Sequence, residues 1–201
     1  MNAYVALVYG IQYLSFYSIP YIFRHRGWPP QTASLPFLSM LLGIASAALS
    51  VSIFYAKWLQ PRYLARGKVL PEDRLPPIIV GSILLPLGLF WMAWSSSTHW
   101  IAQVIPIFFF GAGIMLVFAV SVVYIIDIYL PLSASALAAN TAIRSAVGAG
   151  LPLAAPKMYD NLGIGWATTL LGFLTVLLIP APLIFYRYGD RLRKSSKFAI
   201  S

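Results

Sequence analysis

Cysteine is absent from the 201 residues, and acids are scarce, with five Asp and Glu against fourteen Lys and Arg. The first absence excludes disulfides, thiolate metal sites and cysteine nucleophiles. Only two histidines occur, His25 and His99, both in predicted loops without a carboxylate beside them in the chain, a poor basis for a metal site. No His-Glu-x-x-His, Walker lysine loop or Gly-x-Ser-x-Gly elbow is present, so no enzymatic chemistry is expected. Asn140-Thr141 is followed by Ala142, which leaves no glycosylation sequon. Charged residues make up 9% of the chain, against about a quarter in ordinary globular domains. What is abundant is hydrocarbon: 60% hydrophobic residues and a mean hydropathy of +0.79. Such a chain cannot cover itself with polar surface, and the solvent it fits is a lipid bilayer. The net charge of +9 would suggest nucleic acid in a soluble protein. Here the basic residues sit between apolar runs, where they read as topology signals and headgroup contacts, so no nucleic-acid partner is expected.

A spanning helix needs about 20 predominantly apolar residues. Six segments meet that length: approximately 4–23, 35–55, 75–94, 100–129, 134–156 and 164–186. The fourth exceeds what a bilayer requires, which predicts tilt or projection at one end. Pro86, Pro106 and Pro152 fall inside spans, as membrane helices tolerate. The expected fold is therefore all-α, a single six-helix transmembrane domain over residues 1–201. Its long loop, 57–74, carries Lys57, Arg62, Arg66, Lys68 and Arg74, and its tail, 187–201, carries Arg187, Arg191, Arg193, Lys194 and Lys197. These lie on one side, because an even number of spans separates them. The other side offers only Arg24, Arg26 and Lys157. The positive-inside bias predicts that both termini are cytoplasmic. The N-terminus "MNAY" lacks a basic region, so the first apolar run is expected to serve as an uncleaved insertion signal. Trp58, Trp94, Trp100 and Trp166 lie near span ends, as an interfacial aromatic belt requires. Two groups of three helices with inverted topology fit this layout, although 1–95 and 98–190 share no evident sequence similarity.

Few polar side chains fall inside the spans. Asp127 is placed in the last turn of the fourth span, between Tyr124 and Tyr129. Two readings stand: a helix-end acid bonded to Ser133 or Ser135, or a proton-coupling group. Arg144 lies about 15 Å into the fifth span, near the midplane, where it should face protein or water. Asn140 precedes it by one turn on the same face, which continues through the small Ala136 and Gly148. That stripe suits substrate contact, or an interhelical network. An Asp127–Arg144 pair would have to close a depth difference on the order of 10 Å. In the first span Tyr9, Tyr13, Tyr17 and Tyr21 recur every four residues, with Gln12 and Phe16 beside them. Their rings and hydroxyls suit amphipathic organic cations, or helix packing. Glu72 and Asp73 abut Arg74 in the long loop, and a local ion pair at the membrane surface is expected there.

Five blocks carry a family resemblance: "YGIQYLSFYSIPYIFRHRGW", "PEDRLPPIIVGSILLPLGLFWMAW", "YIIDIYLPLSASALAANTAIRS", "MYDNLGIGWATTLLG" and "PAPLIFYRYGDRLRKSSKFA". In order and spacing the chain, from about Tyr4 to Ala199, resembles the C-terminal half of a fungal major facilitator superfamily transporter of the drug:proton antiporter and polyamine-transporter-like group. The resemblance implies half of a twelve-helix fold. It implies proton-coupled efflux of drugs, polyamines or other small organic molecules, with no cofactor beyond the proton gradient, from the plasma membrane. The family's tenth-to-eleventh helix motif falls on Asp127, Tyr129, Ala134–Ala139, Asn140 and Arg144. Where relatives often read Gly-Ala-Phe-Pro-Leu-Phe, this chain reads "GAGLPLAAP", Gly148 to Pro156. The resemblance also implies that the N-terminal half is missing, so that the chain is a fragment or truncated form inactive alone. Its expected partners are the bilayer, a small organic substrate, for which a cation is one expectation, and the missing half or another half-transporter. Substrate or transport candidates are Arg144, Asn140, Asp127, Tyr124, Tyr13, Tyr17 and Gln12. The alternative is a non-transporting membrane protein that binds a partner through its exposed half-interface.

Overall fold

The computed structural model describes residues 2–67, 71–95, 98–129 and 132–194. Among them there is no strand, and nearly every residue is helical. Helix α1 is Asn2–His25, and α2 is Phe37–Phe54. A widened π turn, Tyr55–Leu59, carries α2 directly into α3, Gln60–Arg66, which ends on Gly67 in the left-handed conformation (φ 68°). A 3-10 turn, Pro71–Arg74, leads to α4, Pro76–Trp94, whose Pro76 and Pro77 stand at the first turn, where their missing N–H costs nothing, while Pro86 lies inside the helix. Helix α5, Trp100–Ile128, starts at His99, which accepts a hydrogen bond from the Ile101 N–H. Helix α6 is Ser133–Leu178 and α7 is Pro180–Lys194. Among the described residues five stretches are long and apolar enough to cross a membrane: Asn2–His25, Phe37–Leu64, Pro76–Trp94, Trp100–Ile128 and Ser133–Gly189.

Three boundaries differ from the sequence expectation. The second helix does not stop at Tyr55 but runs on to Arg66. Its extension is held at the bundle end by Arg62, whose guanidinium sits 3.5 Å from the centre of the Trp58 ring and 3.0 Å from Asp73. The fifth helix passes Pro156 and continues to Leu162, because a proline inside a membrane helix need not end it. The break comes at Gly163, with φ 72° and ψ 169°, a conformation open essentially to glycine alone. The sixth segment does not stop at 186: past Ile179, whose backbone angles are themselves helical, it continues as α7 to Lys194. Lys68 and Lys197 lie outside the described residues.

Contacts give each helix a direction. Arg26, just past α1, donates to the carbonyls of Ser95 and Thr98, which puts the ends of α1 and α4 together. From α2 to α5, Ser39 donates to the Val104 carbonyl, Gly43 faces Phe108 and Ala112, and Val51 packs with Leu116, so the two helices run parallel. On α4, Gly81 faces Leu116 and Gly113 while Gly88 faces Pro106 and Phe110, so α4 and α5 run antiparallel. The first arm of α6 runs parallel to α1, with Asn140 bonded to Asn2 and Asp160 to Tyr21. Past Gly163 the direction reverses: Trp166 meets Trp94, Phe173 meets Phe90, Phe185 meets Tyr124, and Gly189 lies beside Glu72. The two arms of α6 are thus antiparallel.

The core lies between α1, α4, α5 and α6, where Leu14, Ile22, Phe23, Ile78, Leu85, Leu89, Phe110, Val117 and Tyr159 are all buried. By contrast α2 packs mainly on α5, with Phe37 also against Phe16 of α1, and turns Leu38, Leu41, Leu42 and Leu49 outward, as a lipid-facing helix does. Glycines make the α5 seams. A methyl group at Gly88 would come within 2.8 Å of the Pro106 carbonyl, and one at Gly111 within 2.5 Å of the Met40 carbonyl. Gly43 is tighter still against the Phe108 carbonyl. Side chains there would push the backbones apart, and in lipid close backbone packing is the main source of helix association.

At the bundle end that holds the Pro71–Arg74 turn, Arg74 is paired with Asp127, Nε to Oδ2, at 2.7 Å. The contact is close but off-axis, so it acts as an ion pair rather than a hydrogen bond. It ties the entry of α4 to the exit of α5. Asp73 pairs with Arg62, so the expected ion pair between Arg74 and its neighbouring acids is replaced by two longer-range ones. Two outcomes are expected. Gly43→Leu should lower stability in detergent by about 1–3 kcal/mol or more through overpacking. Gly150→Leu, where a side chain would meet nothing within 4 Å, should leave it unchanged or slightly raised, both read by thermal unfolding. Arg74→Gln and Asp127→Asn should each destabilise, with a coupling on the order of 1 kcal/mol in a double-mutant cycle, since both side chains are about a quarter exposed.

Candidate functional site

The parallel pairing of α1 with the first arm of α6 assembles the site. Its register rests on small residues: Gly10 receives Leu151 and Val147, and Gly148 receives the Tyr9 ring. A methyl group at Gly148 would come within 2.9 Å of that ring. One turn before Gly148, the Arg144 guanidinium carbon lies 4.7 Å from the centre of the Tyr9 ring and 5.5 Å from that of Phe118 on α5. Tyr9 and Phe118 themselves meet edge to face at 5.5 Å. Cation–π contact with two rings is what a guanidinium inside a span has in place of water. Among the described residues no carboxylate pairs with Arg144, and its buried Nε has no hydrogen-bond partner.

From Tyr9 the aromatic surface continues along α1. The Tyr9 hydroxyl donates to the Tyr13 hydroxyl at 2.9 Å, with ring centres 4.6 Å apart. Phe16 packs edge to face on Tyr13, and Tyr17 stacks on Tyr21. Tyr21 donates to Asp160 at 3.0 Å, which fixes the far end of the α1–α6 pair. Tyr13, Phe16 and Tyr17 are 40%, 44% and 37% exposed, whereas the opposite face of α1, with Leu14, Ile19 and Ile22, is fully buried. Half-buried Gln12 opens onto a shallow groove between α1 and α2, lined by Phe16, Phe37, Met40, Leu41 and Ile44.

The structure therefore gathers Arg144, Tyr13, Tyr17 and Gln12 onto one open face and places the other candidates elsewhere. Asn140 lies one turn from Arg144 but is buried, its amide donating to Asn2 Oδ1 at 3.0 Å. Tyr124 is buried near Phe185. Asp127 is at the bundle end with Arg74, paired neither with Arg144 nor with Ser133 or Ser135. Sequence reasoning missed Phe118 and Asn2. Phe118 is one apolar residue among many in α5, and Asn2 precedes the segment read as spanning, so neither was marked by its surroundings. A guanidinium, phenol hydroxyls and an amide can bind a ligand through hydrogen bonds, charge and stacking. Among the described residues no cluster of His, Asp and Glu could hold a metal ion.

Known proteins resemble the chain closely over nearly its whole length. It is 48% identical over 203 residues to a citrinin biosynthesis cluster MFS transporter of Monascus ruber, covering 99% of this chain and 40% of that protein. It is 43% identical to an MFS-type transporter of Penicillium crustosum, covering 98% of this chain and 42% of the relative. It is 38% identical to an efflux pump of Fusarium oxysporum, covering 98% of this chain and 34% of the relative. No protein-family model and no solved structure matches. The chain thus spans about 40% of the length of the first two of these relatives. Its helical bundle, its apolar spans and this similarity agree: over nearly its whole length the chain is similar to the C-terminal half of fungal transporters of the major facilitator superfamily.

Proposed function

We propose that the chain forms one half of a transporter that exports small organic molecules, driven by a proton gradient, and that it acts together with a second six-helix half. The observation that carries this reading is the open face of α1 and α6. Arg144 stands about 15 Å along its helix, and a charged side chain near the midplane costs roughly 2.5–3.5 kcal/mol on insertion scales when lipid surrounds it. Beside it Tyr13, Phe16 and Tyr17 are partly uncovered. A second half seated on this face would remove Arg144 from lipid and close a cavity near the midplane. Rocking of the halves about that cavity is how inverted-repeat transporters alternate access.

The reversal of direction at Gly163 supports six crossings rather than five, arranged as one domain over residues 1–201. The distribution of Lys and Arg supports cytoplasmic termini, and the likeness to efflux pumps supports the plasma membrane. The tyrosine stripe alone would take cations, and the guanidinium at its edge opposes that. Asp127 and Tyr124, away from the open face, act on transport through helix position rather than substrate contact. The same open face favours a second reading, a membrane protein that docks a partner there without transporting.

Expressed together with the N-terminal half of one of its relatives, the chain should support efflux from proteoliposomes with an imposed proton gradient. Arg144→Ala should lower that efflux about tenfold or more at unchanged protein level, the loss expected for a charged hydrogen-bonding group. Wild-type efflux in the variant would assign Arg144 a structural role. A wild-type pair that assembles yet moves no solute would favour docking without transport.

A further inference from the structure

The five acids of the chain are Glu72, Asp73, Asp127, Asp160 and Asp190. Glu72 lies beside Gly189 at one end of the bundle. Asp73 and Asp127 are held at that same end by Arg62 and Arg74. Asp160 accepts from Tyr21 and stands about 24 Å of helical rise beyond Arg144. Asp190 follows Gly189 in the chain. The guanidinium is therefore a lone positive charge inside the spans, with none of the chain's described acids near enough to neutralise it. Its two aromatic contacts ease desolvation but leave the charge in place.

The hydroxyls beside it on α1 can donate as well as accept. Tyr13 already accepts from Tyr9, so its own proton is free for another group. Gln12, which opens onto the α1–α2 groove further round the same helix, carries an amide with two N–H donors and an acceptor oxygen. Tyr13 and Phe16 present partly exposed rings beside this donor set. A planar carboxylate matches a guanidinium fork in two parallel hydrogen bonds, and an aromatic body matches the exposed rings. A cation would meet repulsion at the same place.

Resting on the transport reading above, we infer that the face around Arg144 selects small planar aromatic anions, with the carboxylate on Arg144 and the ring against Tyr13 and Phe16. The counter-charge of Arg144 is then the substrate itself, present only when the site is loaded.

The test titrates the purified chain in lipid nanodiscs with three probes of similar size: salicylate, neutral salicylamide and the cation trimethylanilinium. Salicylate should bind about tenfold or more tightly than either of the others. Arg144→Gln should level the three, and Arg144→Lys should keep part of the preference for salicylate. The wild-type ranking alone decides the matter if Arg144→Gln fails to fold. Equal binding of the three probes, tighter binding of trimethylanilinium, or salicylate affinity untouched by Arg144→Gln would each overturn the assignment. With the N-terminal half of a relative present, export of trimethylanilinium but not salicylate would overturn the anion site and leave transport standing. Arg144-dependent salicylate binding without transport of any probe would do the reverse.

Discussion

Close backbone contact along α5 is the constraint on which the rest of the bundle depends. Lipid tails are as apolar as leucine, so apolar side chains gain little by leaving lipid for one another, and helices adhere through packing and hydrogen bonds instead. Helix α5 meets this demand on two sides, through Gly43 and Gly111 towards α2 and through Gly81, Gly88 and Gly113 towards α4. Each pair leaves the backbone of one helix against the other. With α4 fixed on α5, the second arm of α6 finds a seat on α4 through Phe90 and Trp94. The Arg26 bonds to Ser95 and Thr98 then fix the end of α1 against the α4–α5 junction. The tyrosine stripe takes its position from that chain of supports.

Polar groups follow the same economy of placement. Among the described residues the two strong ion pairs, Arg62–Asp73 and Arg74–Asp127, gather at one end of the bundle, where water and headgroups share their desolvation. Buried hydroxyls such as those of Ser82 and Thr175 return to carbonyls one turn back in their own helices. Arg144 departs from this pattern, sitting among rings far from both ends. Residues that break a local rule without local compensation are where function is expected.

Much of this was legible in the sequence. The apolar runs located α1, α4 and α5 to within a residue or two at most ends, because hydrocarbon length is a one-dimensional constraint read directly from composition. The ends of α2 and of the first α6 arm were less legible. Arg62, Trp58 and Asp73 extend α2 by tertiary contact, and Pro156 looks like a stop although the bilayer tolerates it. At the site, the depth of Arg144 and the period of the tyrosines could be counted along a helix. The pairing of Arg144 with Tyr9 and Phe118 could not, since it depends on which helices lie side by side. Asp127 shows the same limit: its partner Arg74 sits beyond two helix ends, and nothing near it in the chain announces it.

The turn at Gly163 also bears on how the protein enters its membrane. The two arms of α6 are joined by a single non-helical residue, with no loop between them. The polar groups near the turn are Lys157, Asp160 and Asn161, and the formal charges of the first two cancel one helical turn apart. Almost nothing hydrophilic has to be carried across for the second arm to follow the first. Once the first arm enters a bilayer, leaving the second outside would strand its apolar length in water, so the two arms are expected to insert together as one hairpin.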